Sequence, residues 1–195
     1  MIKLIITNKV TLKKTSTKQW CTFSRLWWLY DLKWQCPFKS AKVIVRHLEG
    51  KHKPIYHPLS DIGDHVVVIN TQHMAMEGEL WRTFKLFHHT GYPGGFSATR
   101  AYKVHNEDPT KLIRKIIYSN IKGTLLRRPM MEKLYLYKDE NIPDEILKNI
   151  TGQIPQIMQV PKKLKDFSEE ERRSFPKLFD WLTLFSLFLI ILFKY

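Results

Sequence analysis

Residues 65 to 70 read His-Val-Val-Val-Ile-Asn, with four β-branched side chains in succession and no polar residue among them. Successive side chains of an extended chain point to opposite faces, so this run has no side to offer to water and must be covered above and below. That is the pattern of a strand inside a parallel sheet, which needs a helical layer on each face. Leu26 to Tyr30 is aromatic and apolar, ends at Asp31, and reads as a first buried strand. Between the two, Ser40 to Leu48 sets Ala41, Val43, Ile44, Val45 and Leu48 on and around one side of a helix, with Gly50 as its stop. Strand, helix, strand is the order of a βαβ unit.

Further along, Leu80 to His88 alternates Trp81, Thr83, Lys85 and Phe87 against Arg82, Phe84 and Leu86, and reads as another strand leading into a glycine-rich loop. The period then lengthens to nearly four. Pro109 to Ile121 places Leu112, Ile113, Ile116 and Ile117 on one stripe, flanked or opposed by Lys111, Arg114, Lys115 and Lys122. This is an amphipathic basic helix behind the cap residue Asp108. Leu125 to Leu134 repeats the theme, with Met130, Met131 and Leu134 beneath Arg127, Arg128 and Lys133. Pro143, Pro155, Pro161 and Pro176 divide a polar stretch around one short helix, Asp144 to Asn149.

Charge narrows the choice of partner. The chain carries 32 Lys and Arg against 18 Asp and Glu over 195 residues, a net charge of +14. Such an excess favours a polyanion, either nucleic acid or an acidic membrane surface, over a merely solubilising coat. The excess is localised: residues 1–30 hold six cations and no acid, and Lys111 to Lys138 holds eight cations against Glu132 alone. Cys21 and Cys36 form no Cys-x-x-Cys pair, so neither a zinc ribbon nor a disulfide framework is indicated, and a reducing interior compartment fits. The N-terminal segment is basic, hydroxyl-rich and free of acids, which suits an organelle import sequence or an RNA-binding tail. Trp181 to Phe193 is 13 residues without a charge, where a membrane-spanning helix takes about 20. Partial insertion, packing onto another protein, and an end foreign to the fold are the three readings of that tail.

Two basic loops punctuated by glycine and proline, Gly50 to Pro58 and His88 to Phe96, look suited to gripping RNA. Gly91, Gly94 and Gly95 permit close backbone approach, Lys51 and Lys53 supply cations, and Pro54, Pro58 and Pro93 stiffen the loops. Pro93 favours the second position of a tight turn, so Gly94 is expected at the third position of a type II turn, with positive φ. The candidate RNA contacts are Lys51, His52 and Lys53 in the first loop, and Lys85, His89, Tyr92, Gly94, Gly95 and Arg100 around the second. Lys111, Arg114, Lys115, Lys122, Arg127 and Arg128 follow in the basic helices. No catalytic site emerges. His47, His52 and His57 recur every five residues, which matches no zinc pattern, and the adjacent His88 and His89 point to opposite faces of a strand. Gly91 to Gly95 lacks the lysine and hydroxyl of a phosphate-binding loop. No metal and no cofactor are expected, although a small α/β enzyme acting on nucleotides or nucleic acid, and a membrane-tethered organelle protein, remain as rival classes.

Three blocks in order, Gly50-Lys-His-Lys-Pro54, Gly63-Asp-His-Val-Val-Val-Ile-Asn70 and Thr90-Gly-Tyr-Pro-Gly-Gly95, resemble the universal large-subunit ribosomal protein family thirteen. The flanks Trp27 to Asp31 and Met130 to Tyr137 are similar to its mitochondrial branch, and the resemblance runs from roughly Phe23 to Pro176. The chain departs from bacterial members at Cys36 to Ala41 and at Ser119 to Thr124. The resemblance implies a single three-layer α/β/α domain with a largely parallel sheet over residues 23–140. Around it would lie a basic segment 1–22, a polar extension 141–180 and the apolar tail 181–195. It also implies a structural constituent of the mitochondrial large ribosomal subunit, in the matrix, that binds large-subunit ribosomal RNA, meets neighbouring ribosomal proteins and supports assembly and translation. Under that resemblance the chain is not an enzyme, takes no small-molecule substrate and does not insert stably into a membrane.

Overall fold

In the computed structural model, which describes residues 21–160 and 167–174, the β-branched run forms an inner strand of a four-stranded sheet. The strands are β1 (Trp27–Asp31), β2 (His65–Ile69), β5 (Leu134–Leu136) and β6 (Gly152–Gln153), in the spatial order β5-β2-β1-β6 with every pairing parallel. Alternation along the strands builds two cores. Tyr30, Val66, Val68 and Leu134 enter one apolar cluster, while Leu29, Val67 and Ile69 enter another on the opposite face.

The larger cluster is covered by helix α1 (Pro37–Leu48) and helix α4 (Pro109–Asn120), which pack against each other. Proline at the first helical turn presets the backbone angle, so α1 begins before Ser40, where its apolar period is first visible. Ala41, Ile44, Val45 and Leu48 meet Leu112, Ile113, Ile116 and Ile117 of α4 in this core. Asp108 caps α4 as its sequence suggested, accepting bonds from the Thr110 amide at 3.1 Å and hydroxyl at 2.7 Å. The Thr110 hydroxyl, chiefly, holds the Asp108 carboxyl below its ordinary pKa. Two short helices, α3 (Ala101–Glu107) and α5 (Arg127–Glu132), join the same layer through Val104 and Met130.

From β1 to β2 to β5 the chain steps across the sheet in one direction, and from β5 to β6 it returns past both to the far edge. Crossovers keep one hand, so reversing direction moves the connecting helix to the other face. Helix α6 (Asp144–Asn149) lies there, with Ile146 and Leu147 on Leu29, Val67 and Ile69. The three-layer α/β/α arrangement follows.

Two expectations shift. Leu80 to His88 is not one strand: Leu80–Thr83 forms a helical turn, α2, and only Lys85–His89 is strand β3. Leu80, Trp81 and Phe84 have helical spacing as well as alternation, and packing onto the main core selects the helix. Strand β3 pairs antiparallel with β4 (Phe96–Arg100) in a separate two-stranded ribbon. In addition, the α/β domain does not stop at residue 140, because β6 completes the sheet. Gly152 fits there because a Cβ would stand 2.8 Å from the Trp28 ring. The chain divides into units Met1–Gln159 and Val160–Tyr195, the second contributing helix α7 (Glu169–Ser174), acidic in its first turn and basic in its last. Residues 1–20 of the basic segment 1–22 and the apolar tail 181–195 lie outside the described residues. Among the described residues no helix is long and apolar enough to cross a membrane.

Candidate nucleic-acid interface

The first basic loop starts where α1 stops. Gly50, at φ +78°, donates to the His47 carbonyl, and Lys51 donates to that of Arg46, the paired closure of a helix by a left-handed glycine. The loop then turns inward. Asp64 is wholly buried and accepts from the Leu26 amide at 3.0 Å, the Trp28 indole at 2.9 Å and the Lys53 ammonium at 2.5 Å. Lys53 also donates to the carbonyls of Ser24 and Ile62. This corrects one expectation: Lys53 does not present its charge to RNA, because a carboxylate removed from water requires a cation beside it. His52 approaches Asp64 at 2.9 Å and stacks on His47, with ring centres 4.6 Å apart. Lys51 pairs with the buried Glu49 and keeps part of its surface exposed. The loop is therefore mostly a fastening of β1 to β2, with Lys51 and a carbon edge of the His52 ring left outside while both ring nitrogens are buried.

The second loop is the tip of the β3–β4 ribbon. Gly95 donates to the Tyr92 carbonyl at 2.9 Å, closing a turn with Pro93 second and Gly94 third at φ +73°, the expected type II geometry. Tyr92 is exposed at the apex, and Gly91 donates to the His89 ring at 2.8 Å. Lys85 and Arg100 face each other across the ribbon root. A Cβ on Gly94 would meet nothing within 4 Å, so only backbone strain opposes a side chain there. Gly94→Val should accordingly lower stability by about 1 to 3 kcal/mol, read as a reduced melting temperature; an unchanged value would show that the turn relaxes freely.

Helix α4 turns Lys111, Arg114 and Lys115 to solvent, while its buried stripe fixes their orientation. Lys111 and Lys115 join Leu86, His88, Thr99, Val104 and Glu107 around a cleft of about 450 Å³ between the ribbon and helices α3 and α4. Lys122 and Arg128 are exposed beyond the helix. Arg127 is engaged within the chain: its guanidinium lies 3.5 Å from the Tyr118 ring centre and bonds the Tyr118 carbonyl. Of the predicted contacts only Lys111 and Lys115 line this cleft; Lys85, His89 and Arg100 lie on the other face of the ribbon, and the first-loop residues gather around Asp64. Two exposed cations, Lys42 and Arg46, escaped the sequence reading, although the polar side of α1 held the signal for both.

The model of the family "Ribosomal protein L13" matches residues 25–143, which include all of β1 through β5 and the ribbon. The chain belongs to the ribosomal protein L13 family. It is 46% identical over 164 residues to the large ribosomal subunit protein uL13m of Drosophila melanogaster, covering 84% of this chain and 92% of that protein. With uL13 of Syntrophus aciditrophicus it shares 38% identity over 114 residues, 58% of this chain and 80% of the other. With uL13 of Acholeplasma laidlawii the identity is 35% over 124 residues, covering 64% and 87%. Among the described residues of this L13-family chain, no group of His, Cys, Asp or Glu is arranged to hold a metal ion.

Three histidines of the L13 fold favour the neutral form. Burial lowers the pKa of His47, despite its bond to the Val43 carbonyl, and lowers that of His105. For His65, burial acts first, reinforced by Lys133 and Arg25. The unfolded chain therefore binds protons at a higher pH than the folded one. The stability these groups contribute is complete above the unfolded histidine pKa, about 6.5, and is lost as pH falls through the folded values. The melting temperature should drop between pH 7.5 and 5, and His47→Asn should flatten the drop; an identical slope in the variant would remove His47 from this account.

Proposed function

We infer that this L13-family chain is a structural constituent of the large subunit of the mitochondrial ribosome, where it binds large-subunit ribosomal RNA and supports assembly. The observation that carries this is the match to uL13m along 92% of that protein, at higher identity than the bacterial uL13 proteins show over shorter spans. The role is one of binding and positioning, not of catalysis.

RNA would be held by cations presented on anchored elements. Phosphate neutralisation releases condensed counterions, so lysines and arginines fixed on a packed helix contribute affinity without much ordering cost. We assign Lys111, Arg114, Lys115, Lys122 and Arg128 to the helical part of this surface, and Lys85, His89, Tyr92 and Arg100 to the ribbon. At the tip, Gly94 and Gly95 would let the backbone come close, while Lys51 and His52 form a separate, smaller contact. Arg127 braces α4 against α5 through Tyr118.

Sedimentation of a mitochondrial lysate tests the reading. The protein should travel with the large subunit and whole ribosomes, and its depletion should reduce free and assembled large subunits alike. Recovery only in the soluble or membrane fractions would overturn it.

A further inference from the structure

Pairing in the ribbon puts Lys85, Phe87 and His89 of β3 on the same side as their partners Arg100, Ala98 and Phe96 of β4. The opposite side, with Leu86, His88 and Thr99, lines the cleft against α3 and α4. The ribbon therefore has an outward face, with two cations at the root and three rings toward the tip. Phe87 and Phe96 are 65% and 60% exposed, although both are large apolar side chains. Their rings lie within 20° of parallel with centres 5.7 Å apart, and the His89 ring centre follows 6.4 Å from that of Phe96. A diagonal ring pair helps a two-stranded ribbon hold together, but it uses one side of each ring. What remains is a contiguous aromatic patch in water, the mark of an interaction site.

The charge around the patch selects its occupant. No acid occurs from Leu80 to Asn106, while Arg82, Lys85, Arg100 and Lys103 do. A cation-framed, acid-free aromatic face suits a polyanion that also offers flat rings. Paired RNA hides its base faces inside the helix, so only loops, bulges and ends can stack on a protein.

We propose that the outward face of the β3–β4 ribbon is a stacking platform for unpaired nucleobases of RNA, with Phe87, Phe96 and His89 taking base faces and Lys85 and Arg100 the flanking phosphates. The proposal rests on the RNA-binding role inferred above and names the part of the RNA this surface takes. Bases stack on the outer ring faces, since centres 5.7 Å apart leave no room between them for a further layer, which takes about 3.4 Å on each side.

The test compares the full chain with the F87L/F96L and F87Y/F96Y variants. The probes are a single-stranded RNA oligonucleotide carrying 2-aminopurine and a fully paired RNA duplex. The wild-type chain should quench the 2-aminopurine and bind the single strand more tightly than the duplex. F87L/F96L, which keeps apolar bulk but loses the rings, should bind the single strand about tenfold or more weakly and the duplex unchanged. F87Y/F96Y should behave as wild type. Equal single-strand affinity of F87L/F96L and wild type, with salt dependence intact, overturns the platform and leaves the RNA-binding role standing. Wild-type protein that binds neither RNA in a salt-dependent way removes that role itself. If F87L/F96L binds single strands normally yet fails to enter the large subunit, the face belongs to a neighbouring protein and the proposal falls.

Discussion

Lys53→Met is expected to destabilise the fold by about 3 to 5 kcal/mol, because it strands the Asp64 carboxylate in an interior that excludes water. Asp64 is wholly buried and the Lys53 ammonium lies 2.5 Å from it, so no solvent can substitute for the lost cation. A loss of this size is a large part of the roughly 5 to 15 kcal/mol that holds a typical domain together. Adding Asp64→Asn should recover some of it by removing the charge. Recovery will be partial, because the Leu26 amide and the Trp28 indole both donate to that carboxylate, one to each oxygen, and an amide has only one acceptor. Urea denaturation reads both effects as shifts in the midpoint. A change below about 1 kcal/mol for Lys53→Met, the range of an exposed pair, would return Lys53 to the surface and to the candidate RNA contacts.

The second large effect separates gripping from folding. Replacing Arg114, Lys115, Lys122 and Arg128 together by Gln should weaken binding to a large-subunit RNA fragment by orders of magnitude at low salt. The slope of log affinity against log salt should become shallower by about one for each lost phosphate contact. The gap between variant and wild type should close as salt rises. Melting should change little, since exposed charges away from caps and cores contribute within about 0.5 kcal/mol each, and the stripe Leu112, Ile113, Ile116 and Ile117 is untouched. Filter binding across a salt series makes the comparison. Unfolding of the variant would make these cations structural, and an unchanged slope would move the RNA surface elsewhere.

Local signals were legible because each is complete within a few residues. The run Val66 to Ile69 has no polar face, so it demanded cover on both sides wherever it was placed. The period of α4, its cap at Asp108 and the Pro93-Gly94 turn are likewise self-contained, since the groups that satisfy them lie one to four residues away. The same locality explains the error at Leu80 to Phe84. That stretch satisfies two periods at once, and its contact with the main core chose between them. Strand β6 was illegible for a different reason: two residues carry no period, and their pairing with Trp28 and Leu29 spans the length of the domain.

The candidate interface divides along the same line. Sequence alone determined that the chain is basic, that its cation excess lies in residues 1–30 and from Lys111 to Lys138, and which residues of the basic helix after Pro109 face water, because composition and period are properties of the string. Only the tertiary structure decided which cations are available. Lys51 and Lys53 stand in the same motif, yet Lys53 is withdrawn to Asp64, eleven residues on, and Arg127 is drawn onto Tyr118. Phe87 and Phe96 likewise become neighbours only through the antiparallel register of β3 and β4. A charge seeks the counter-charge that folding buries beside it and a ring the ring that register sets next to it, and both partners are chosen by closure of the chain.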